Sequence, residues 1–389
     1  MKLKPDSTGA IMKFKSLMEK AGLPLNEEKA AEQWREELKK QNISVANDSP
    51  FGPFWRTIEA LITKPVVKLF NWIAQTLMPD LFIMTASREA LIEKHGPSRN
   101  VFIQTGLKAQ GLLTFTRTTS EGESAIVEGT EVVTDVIGGL VYKLVLLQEA
   151  YFKDGQSTAY ALAEAVEEGA GFNLPANAYR YFAEQQDGVT VTNSADWLLR
   201  PGADSEDTES YRNRIRNVFG TAARWHINSV YKQIIANFHV PIDNIEIETQ
   251  APRGPGTANA YIYLDVGAVP SALLSAINTH IRDKGHHGLG DDFMVCAMPT
   301  QSFNVVAQCA LHTEQDINAE LTAFVESAFR KNAAYKPTRV AHNSEFSISQ
   351  LISECHEEFE QLKSIKFNID DIHAQNWLPV LGNLEVKRV

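Results

Sequence analysis

The hydrophobic pattern of this chain changes its period near Val101, and that change restricts the fold classes that the chain can adopt. Before this point, apolar side chains recur every three or four residues, which is the period of an amphipathic helix. After it, stretches such as 111–117 and 303–311 alternate apolar with polar residues, which is the period of a strand. From about residue 200, helical and alternating stretches follow one another. The pattern predicts an α+β, multidomain protein.

The length of 389 residues is enough for two to four domains, each with its own core. We predict four regions from the changes in pattern. They are a helical region at 1–97, a β-rich domain at 98–200, a small α+β domain with a motif-bearing helix at 201–300, and a second small α+β domain at 301–389.

The N-terminal helices carry more apolar surface than they can easily cover among themselves. One predicted helix starts at Asn26 and presents only a thin apolar stripe. A second helix, from 54 to about 78, has a broad apolar face that Pro65 interrupts. Two interpretations stay open, an ordinary helical subdomain and a helix bundle shared with partner chains. The interaction candidates on these faces are Trp34, Trp55, Leu61 and Phe70.

Charge and composition argue against several classes of function. A net charge of −11 and a pI near 5.5 disfavour a nucleic-acid-binding surface. The most apolar segment, 65–78, is too short to span a bilayer and contains Lys68, Asn71 and Gln75. The first residues lack the apolar core of a secretory signal. We therefore predict a soluble protein, assembled in the cytoplasm, with neither nucleic acid nor membrane as a partner.

The three cysteines also point to an intracellular origin. Cys296, Cys309 and Cys355 are odd in number and share no spacing that is typical of a metal site. We interpret them as buried thiols of a protein made in a reducing compartment.

Residues 198–219 predict a sharply started amphipathic helix. A Pro-Gly break at Gly202 precedes Asp204 and Ser205, and either of these two side chains suits the N-cap. Acidic residues beginning with Glu206 fill the first turn, where the helix dipole favours negative charge. The apolar residues recur at i, i+4 and i+7 and predict a face turned towards the core. They are Tyr211, Ile215 and Val218.

Basic residues follow the acidic ones on the same helix. Arg212 and Arg214 beside the acidic turn allow a catalytic or phosphate-binding interpretation. The alternative is a well-capped, solvated helix in which Glu209 and Arg212 pair along one face. Physical chemistry alone favours the solvated helix.

The same string resembles the signature of the baseplate J-like protein family. The residues that carry the resemblance are Gly202-x-Asp204-x-Glu206 followed by Arg212-x-Arg214. Asp207 and Thr208 stand where the family usually has Ser-Asp, a small departure because both residues suit the first turn of a helix.

Two more stretches resemble Mu-type members of this family. One is the turn Glu128-Gly129-Thr130, and the other is a run from Ala163 through Gly169 to the turn at Asn173. Their glycine and asparagine residues suit tight turns between strands. The resemblance covers roughly residues 55–389, with its motifs in the family's order.

The resemblance implies a baseplate wedge subunit of a contractile phage tail or a related injection system. Its ring would be sixfold, surround the tail hub, and widen on host contact to trigger sheath contraction. In the family, two copies join a smaller wedge protein through an N-terminal helix bundle, here 1–97, and the α+β domains close the ring. The implied partners in the virion are further copies of the chain, the smaller wedge protein, a sheath-initiator (lysozyme-like) wedge protein and tail hub proteins.

Two other functions remain as alternatives. His280, His286 and His287 lie near Asp291 and Asp292, so a metal-dependent hydrolase is conceivable. The spacing is not that of a zinc site, and the surrounding glycines favour a solvated turn. A receptor-binding tail protein is the other alternative, but it would lack the helical N-terminus. We expect no enzyme activity and no catalytic, cofactor-binding or metal-binding residues, with signature residues that are structural.

Overall fold

The computed structural model describes residues 7–43, 53–221, 227–288, 290–312 and 315–388. Helices and several separate sheets confirm the α+β, multidomain class. The chain forms two compact units. Unit 1 comprises Met1–Ile103 and Tyr211–Arg216, and unit 2 comprises Gln104–Ser210 and Asn217–Val389. Within the described ranges, no helix combines the length and the apolar character needed to cross a membrane.

Unit 1 consists mainly of helices. They are α1 Ser7–Lys20, α2 Glu27–Lys40, α3 Pro53–Trp72 and the short α4 Arg88–Ala90, with π-helical turns at Ile73–Leu77 and Leu91–His95. Helix α2 begins where the sequence predicts, because the Asn26 side chain accepts a hydrogen bond from the Lys29 N–H at 2.8 Å. Ser87 caps α4 in the same way through the Ala90 N–H, at 3.2 Å.

Helix α3 passes through Pro65 without a break, as the predicted helix from 54 to about 78 requires. A proline inside a helix removes one hydrogen bond and usually bends or ends the helix. Contacts on both sides of Pro65 hold α3 in place. Glu59 forms an ion pair with Arg35 of α2 at 2.8 Å, and Asn71 Nδ2 donates to the Leu25 carbonyl at 2.9 Å. These tertiary contacts offset the local cost of the proline.

Unit 2 begins with the predicted β-rich region. Its strands are β1 Gln110–Arg117, β2 Ser124–Ile126, β3 Glu131–Thr134, β4 Lys143–Leu146, β5 Ala150–Phe152, β6 Thr158–Ala165, β7 Tyr179–Phe182 and β8 Val189–Arg200. Six of them form one antiparallel sheet in the order β7-β3-β4-β6-β1-β8. Strand β8 continues to Arg200, so residues 198–200, which we predicted to open the helical stretch, belong to a strand.

A buried asparagine joins the two end strands of this sheet. Asn193 of β8 accepts a hydrogen bond from the Tyr179 N–H of β7 at 3.0 Å and donates to the Pro175 carbonyl at 2.8 Å. Its side chain is fully buried, so these bonds satisfy polar atoms that have no access to water. Leu113, Phe115 and similar inward-facing residues fill the core that the sheet encloses.

After α5 Thr208–Thr221 comes a small α+β region with its own core. Its elements are α6 Asn228–Ala236, β9 Ile245–Glu248, β10 Thr257–Ile262, α7 Ser271–Asn278 and β11 Asp292–Ala297. Strand β10 is antiparallel to β9 and parallel to β11, which α7 connects to it as a crossover helix. Pro270 is the N-cap of α7.

A second α+β region follows, with a separate hydrophobic core. Its elements are β12 Thr300–Leu311, α8 Asn318–Ala328, β13 Glu345–Phe346, α9 Ile348–Glu358, β14 Leu362–Phe367, β15 Ile372–His373 and β16 Leu378–Arg388. The three long strands form a sheet in the order β14-β12-β16, with β16 parallel and β14 antiparallel to β12.

The cysteines differ in exposure, and we expect them to differ in reactivity. Cys309 and Cys355 are fully buried, as predicted, whereas Cys296 is half-buried, so the prediction was only partly correct for that thiol. Burial raises the pKa of all three thiols, that of Cys355 to about 12. Since Cys296 is the only one of the three thiols that is partly exposed, a thiol reagent at pH 8 should reach and modify it first. The other two should react only after denaturation, and equally fast native reaction of all three would contradict this.

Candidate assembly site on the signature segment

Three residues of the signature segment bind backbone groups far away in the sequence, all within unit 2. Asp204 Oδ1 accepts a hydrogen bond from the Ala170 N–H at 3.1 Å. Ser205 Oγ accepts one from the Gly106 N–H at 3.2 Å. Glu206 exchanges two bonds with Gln104, each of 3.0 Å, one through its side chain and one through its main-chain N–H. The acidic run therefore fixes the path of the chain around the β-rich region.

The N-cap of α5 is Asp207, so the prediction of Asp204 or Ser205 was wrong. Asp207 Oδ1 accepts hydrogen bonds from the Glu209 N–H at 2.8 Å and the Ser210 N–H at 3.1 Å. Asp204 and Ser205 have the right chemistry for a cap, but their oxygens are already engaged with residues 170 and 106.

The backbone at Gly202 passes very close to the backbone at Gly169. Asn173 pairs with it on both sides, accepting from the Gly202 N–H at 2.7 Å and donating to its carbonyl at 2.8 Å. A Cβ atom on Gly202 would overlap the carbonyl oxygen of Gly169 and lie 3.1 Å from the Ala109 nitrogen. The first glycine of the signature is therefore required by this close approach.

Asn173 also lies close to the place where the β-rich region and the two α+β regions of unit 2 meet. Gly267 has a φ of +79°, and its N–H donates to the Arg330 carbonyl at 2.9 Å. A Cβ atom on Gly267 would overlap the Asn173 carbonyl oxygen. Arg330 pairs with Asp265 at 3.3 Å and lies over the Tyr263 ring, 4.9 Å from its centre.

A second half-buried arginine lies at this junction. Arg339 donates to the Asp265 carbonyl at 3.3 Å, and burial, followed by the nearby Arg330, lowers the pKa of its guanidinium. Sequence reasoning missed both arginines, because no local pattern distinguishes them from surface residues.

Arg212 and Arg214 are buried, against the expectation of a solvated helix face. Within unit 1, Arg212 donates to the carbonyls of Ile83 and Ala86, the latter at 2.9 Å, and Arg214 donates to the Phe102 carbonyl. These main-chain oxygens lie outside helices and strands, so the arginines supply the hydrogen-bond donors that they would otherwise lack.

The core-facing prediction for α5 holds at the first two of its three positions. Tyr211 and Ile215 are fully buried, and Val218 is half-buried. The Tyr211 hydroxyl donates to the Val101 carbonyl at 2.8 Å, again within unit 1. Arg216, in contrast, is exposed.

The N-terminal interaction candidates have different environments. Trp34 and Phe70 are half-buried, and Leu61 is 65% exposed. Trp55 lies in α3, but its side chain is outside the described residues. Other large apolar side chains on α3 are also exposed. We define the α3 stripe as Phe54, Leu61, Ile62, Leu69 and Trp72.

The histidine cluster has a different arrangement from a metal site. The rings of His280 and His286 stack at 4.3 Å, and His287 Nδ1 lies 2.8 Å from the carbonyl oxygen of the next residue. The two acidic residues are engaged elsewhere, since Asp291 accepts from the Tyr231 hydroxyl and Asp292 pairs with an arginine. The described part of the chain contains no group of three or more His, Cys, Asp or Glu placed to hold a metal ion.

This chain is similar to several known proteins. Residues 112–199, which lie within β1 to β8, match the family described as the baseplate J-like protein barrel domain. A putative baseplate protein, gp29 of Haemophilus phage HP1, is 34% identical over 338 residues, which cover 84% of this chain and 85% of that protein. A chain of the anti-feeding prophage baseplate, from a sixfold-symmetrised cryo-EM structure, has 10% identity and a TM-score of 0.34, with 90% of each chain covered. The barrel-domain match and the phage HP1 relative show that this chain belongs to the baseplate J-like protein family and is a bacteriophage baseplate protein.

Proposed function

We propose that this chain is a wedge subunit that forms a sixfold ring around the tail hub and takes part in the rearrangement that triggers sheath contraction. Family membership supports a role in the baseplate. The α3 stripe is the single observation that supports the more specific role of a wedge subunit. The phage HP1 relative is named as a baseplate protein, which agrees with a place in the virion tail.

The α3 stripe has the geometry of a helix-bundle contact. Steps of seven residues, from Phe54 to Leu61 and from Ile62 to Leu69, return to the same helix face. The side chains are 42% to 66% exposed, although each would gain roughly 25 cal/mol for every Å² of apolar surface buried. Contiguous exposed apolar surface of this kind marks an interaction site.

The occupant that we propose for the α3 stripe is a helix bundle formed with a second copy and a smaller wedge protein. Region 1–97 supplies the bundle, region 98–200 the barrel, and regions 201–300 and 301–389 the contacts that close the ring. Further proposed partners are the sheath-initiator wedge protein and the tail hub proteins.

We also propose that the chain has no catalytic activity. Arg212 and Arg214 hold backbone carbonyls, and the carboxylates near the histidine cluster are engaged with Tyr231 and Arg253. These contacts give structural roles to the residues that an enzyme would need. The helices of unit 1 favour the wedge role over a receptor-binding tail protein.

Charged substitutions in the α3 stripe test the wedge role. We expect the double variant L61E/L69E to fold normally, because both side chains are exposed in the isolated chain. In the phage, the same variant should lower the yield of infectious particles by several orders of magnitude, because the bundle cannot bury four glutamates from two copies. Plaque counts, together with electron microscopy of tails without baseplates, measure this.

The control is Lys64→Glu, which adds negative charge at an exposed polar position of the same helix. It should leave infectivity within a few-fold of the natural level. In parallel, limited proteolysis should cut residues 26–80 in the isolated chain and spare them in the virion. Equal protection in both states, or full infectivity of L61E/L69E, would contradict the proposed role.

A further inference from the structure

The C-terminal sheet has an edge strand that is suited to pairing with a second copy. Among the described residues, β16 pairs only with β12, so its other edge offers main-chain donors and acceptors. The alternate residues Asn383, Glu385 and Lys387 are exposed, while Leu384 and Val386 are half-buried against the core. Eleven residues make β16 one of the longer strands of the chain.

The edge of β11 in the other small sheet is closed by a side chain. Asn278 of α7 donates to the Val295 carbonyl and accepts from the Val295 N–H, both at 2.8 Å. The amide thereby takes the place that a neighbouring strand would occupy. This edge is protected against pairing.

The edges of β9 and β14 carry charges of one sign. Strand β9 is short and bears Glu246 and Glu248 on one face, and β14 bears Lys363 and Lys366. Antiparallel pairing of β9 with itself would bring glutamates together, and like charges across strands are destabilising. Lysines on an edge strand are a common protection against pairing.

Strand β16 is different because its charges are self-complementary. In an antiparallel pair centred on Val386, Glu385 of one copy faces Lys387 of the other, twice by symmetry. Shifting the centre to 385 or 387 instead places two like charges opposite each other. The two side chains are 59% and 50% exposed and pair within one chain at 3.0 Å, so both are available at the surface.

A groove next to Val386 offers room for side chains of the incoming strand. It has a volume of about 460 Å³, and Val386 is the residue of the sheet that lines it. Its other walls are formed by α8, with the small side chains of Ala319, Thr322 and Ala323, and by Val136 and Ile137 after β3. The valine of a second copy would lie beside Val386 and bury apolar surface there.

We propose that two copies of this chain join through antiparallel pairing of β16 centred on Val386. The product is one six-stranded sheet that is continuous across both copies. This contact deepens the proposed ring-building role and rests on it, since it specifies which surface joins neighbouring copies. The charge pattern fixes the register, and the main-chain bonds supply the ladder.

Charge reversal on the full-length chain tests the pairing. We would measure mass against concentration by analytical ultracentrifugation, in the L61E/L69E background, so that the α3 stripe does not contribute to association. Glu385→Lys alone and Lys387→Glu alone should each weaken dimerisation by about tenfold or more, because each places like charges opposite one another twice. The double variant E385K/K387E should dimerise like the parent.

Mixing the two single variants gives the sharpest outcome. One variant then presents two lysines and the other two glutamates, so a heterodimer should form although each variant alone is mainly monomeric. Unchanged melting temperatures would show that the folds are intact, because exposed ion pairs contribute little to stability. Equal association of all variants, or no recovery in the mixture, would overturn the β16 contact. The infectivity of L61E/L69E tests the wedge role separately.

Discussion

Gly202→Ala is expected to destabilise unit 2 by about 3 to 5 kcal/mol, a large part of the roughly 5 to 15 kcal/mol that stabilises a typical domain. The added methyl group would overlap a carbonyl oxygen of the main chain, which has no flexible end that could move aside. Relief of the overlap would separate Gly202 from Asn173 and break two buried hydrogen bonds. Thermal unfolding should show a decrease in Tm of about 10 °C.

A glycine in open space provides the control. Gly139 has a φ of +78°, but no other atom lies within 4 Å of the place that a Cβ would take, so Gly139→Ala adds backbone strain without a collision. Its expected cost is about 1 to 2 kcal/mol. If both variants lost the same stability, backbone strain alone would explain the effect. The predicted collision at Gly202 would then be contradicted.

Arg212→Ala is expected to destabilise unit 1 by about 2 to 4 kcal/mol. The substitution leaves the carbonyl oxygens of Ile83 and Ala86 without their donors, and each unsatisfied buried group costs about 1 to 3 kcal/mol. Hydrogen exchange of amides in residues 83–102 should become faster, and denaturant unfolding should shift to lower concentration.

Two substitutions distinguish this explanation from a general effect of charge. Arg216→Ala removes an exposed arginine from the same helix and should change stability by less than about 0.5 kcal/mol. Arg212→Lys keeps the charge but lacks the fork that reaches two carbonyls, so an intermediate loss is expected. A loss at Arg216 equal to that at Arg212 would contradict a specific role for the buried guanidinium.

The fold class was predictable because hydrophobic period is a local property of the sequence. The change near Val101 and the alternation in residues 303–311 correspond to real helices and strands. The family was predictable because the string around Gly202 occurs together with further motifs in the family's order. The four domain boundaries stay a prediction, as do the roles of the interaction candidates on α2 and α3.

The details of the signature site were not predictable, because their partners are distant in sequence. Asp204, Ser205 and Asp207 are equally good caps by chemistry, and only the positions of residues 106 and 170 decide between them. Arg212 and Arg214 are buried because they bind main-chain carbonyls, and such acceptors leave no mark in the side-chain sequence. Local reasoning therefore favours a solvated helix.

The discontinuous composition of unit 1 has a consequence for biosynthesis. Its first segment ends at Ile103, but its core also needs Tyr211 and Ile215 from the later segment. The ribosome must add about 100 residues between the two, which takes roughly 5 to 20 s. During this interval the newly made helices cannot complete their packing, so their apolar faces stay accessible to chaperones or to other chains. Unit 1 therefore acquires its full core only after the whole barrel region has been synthesised.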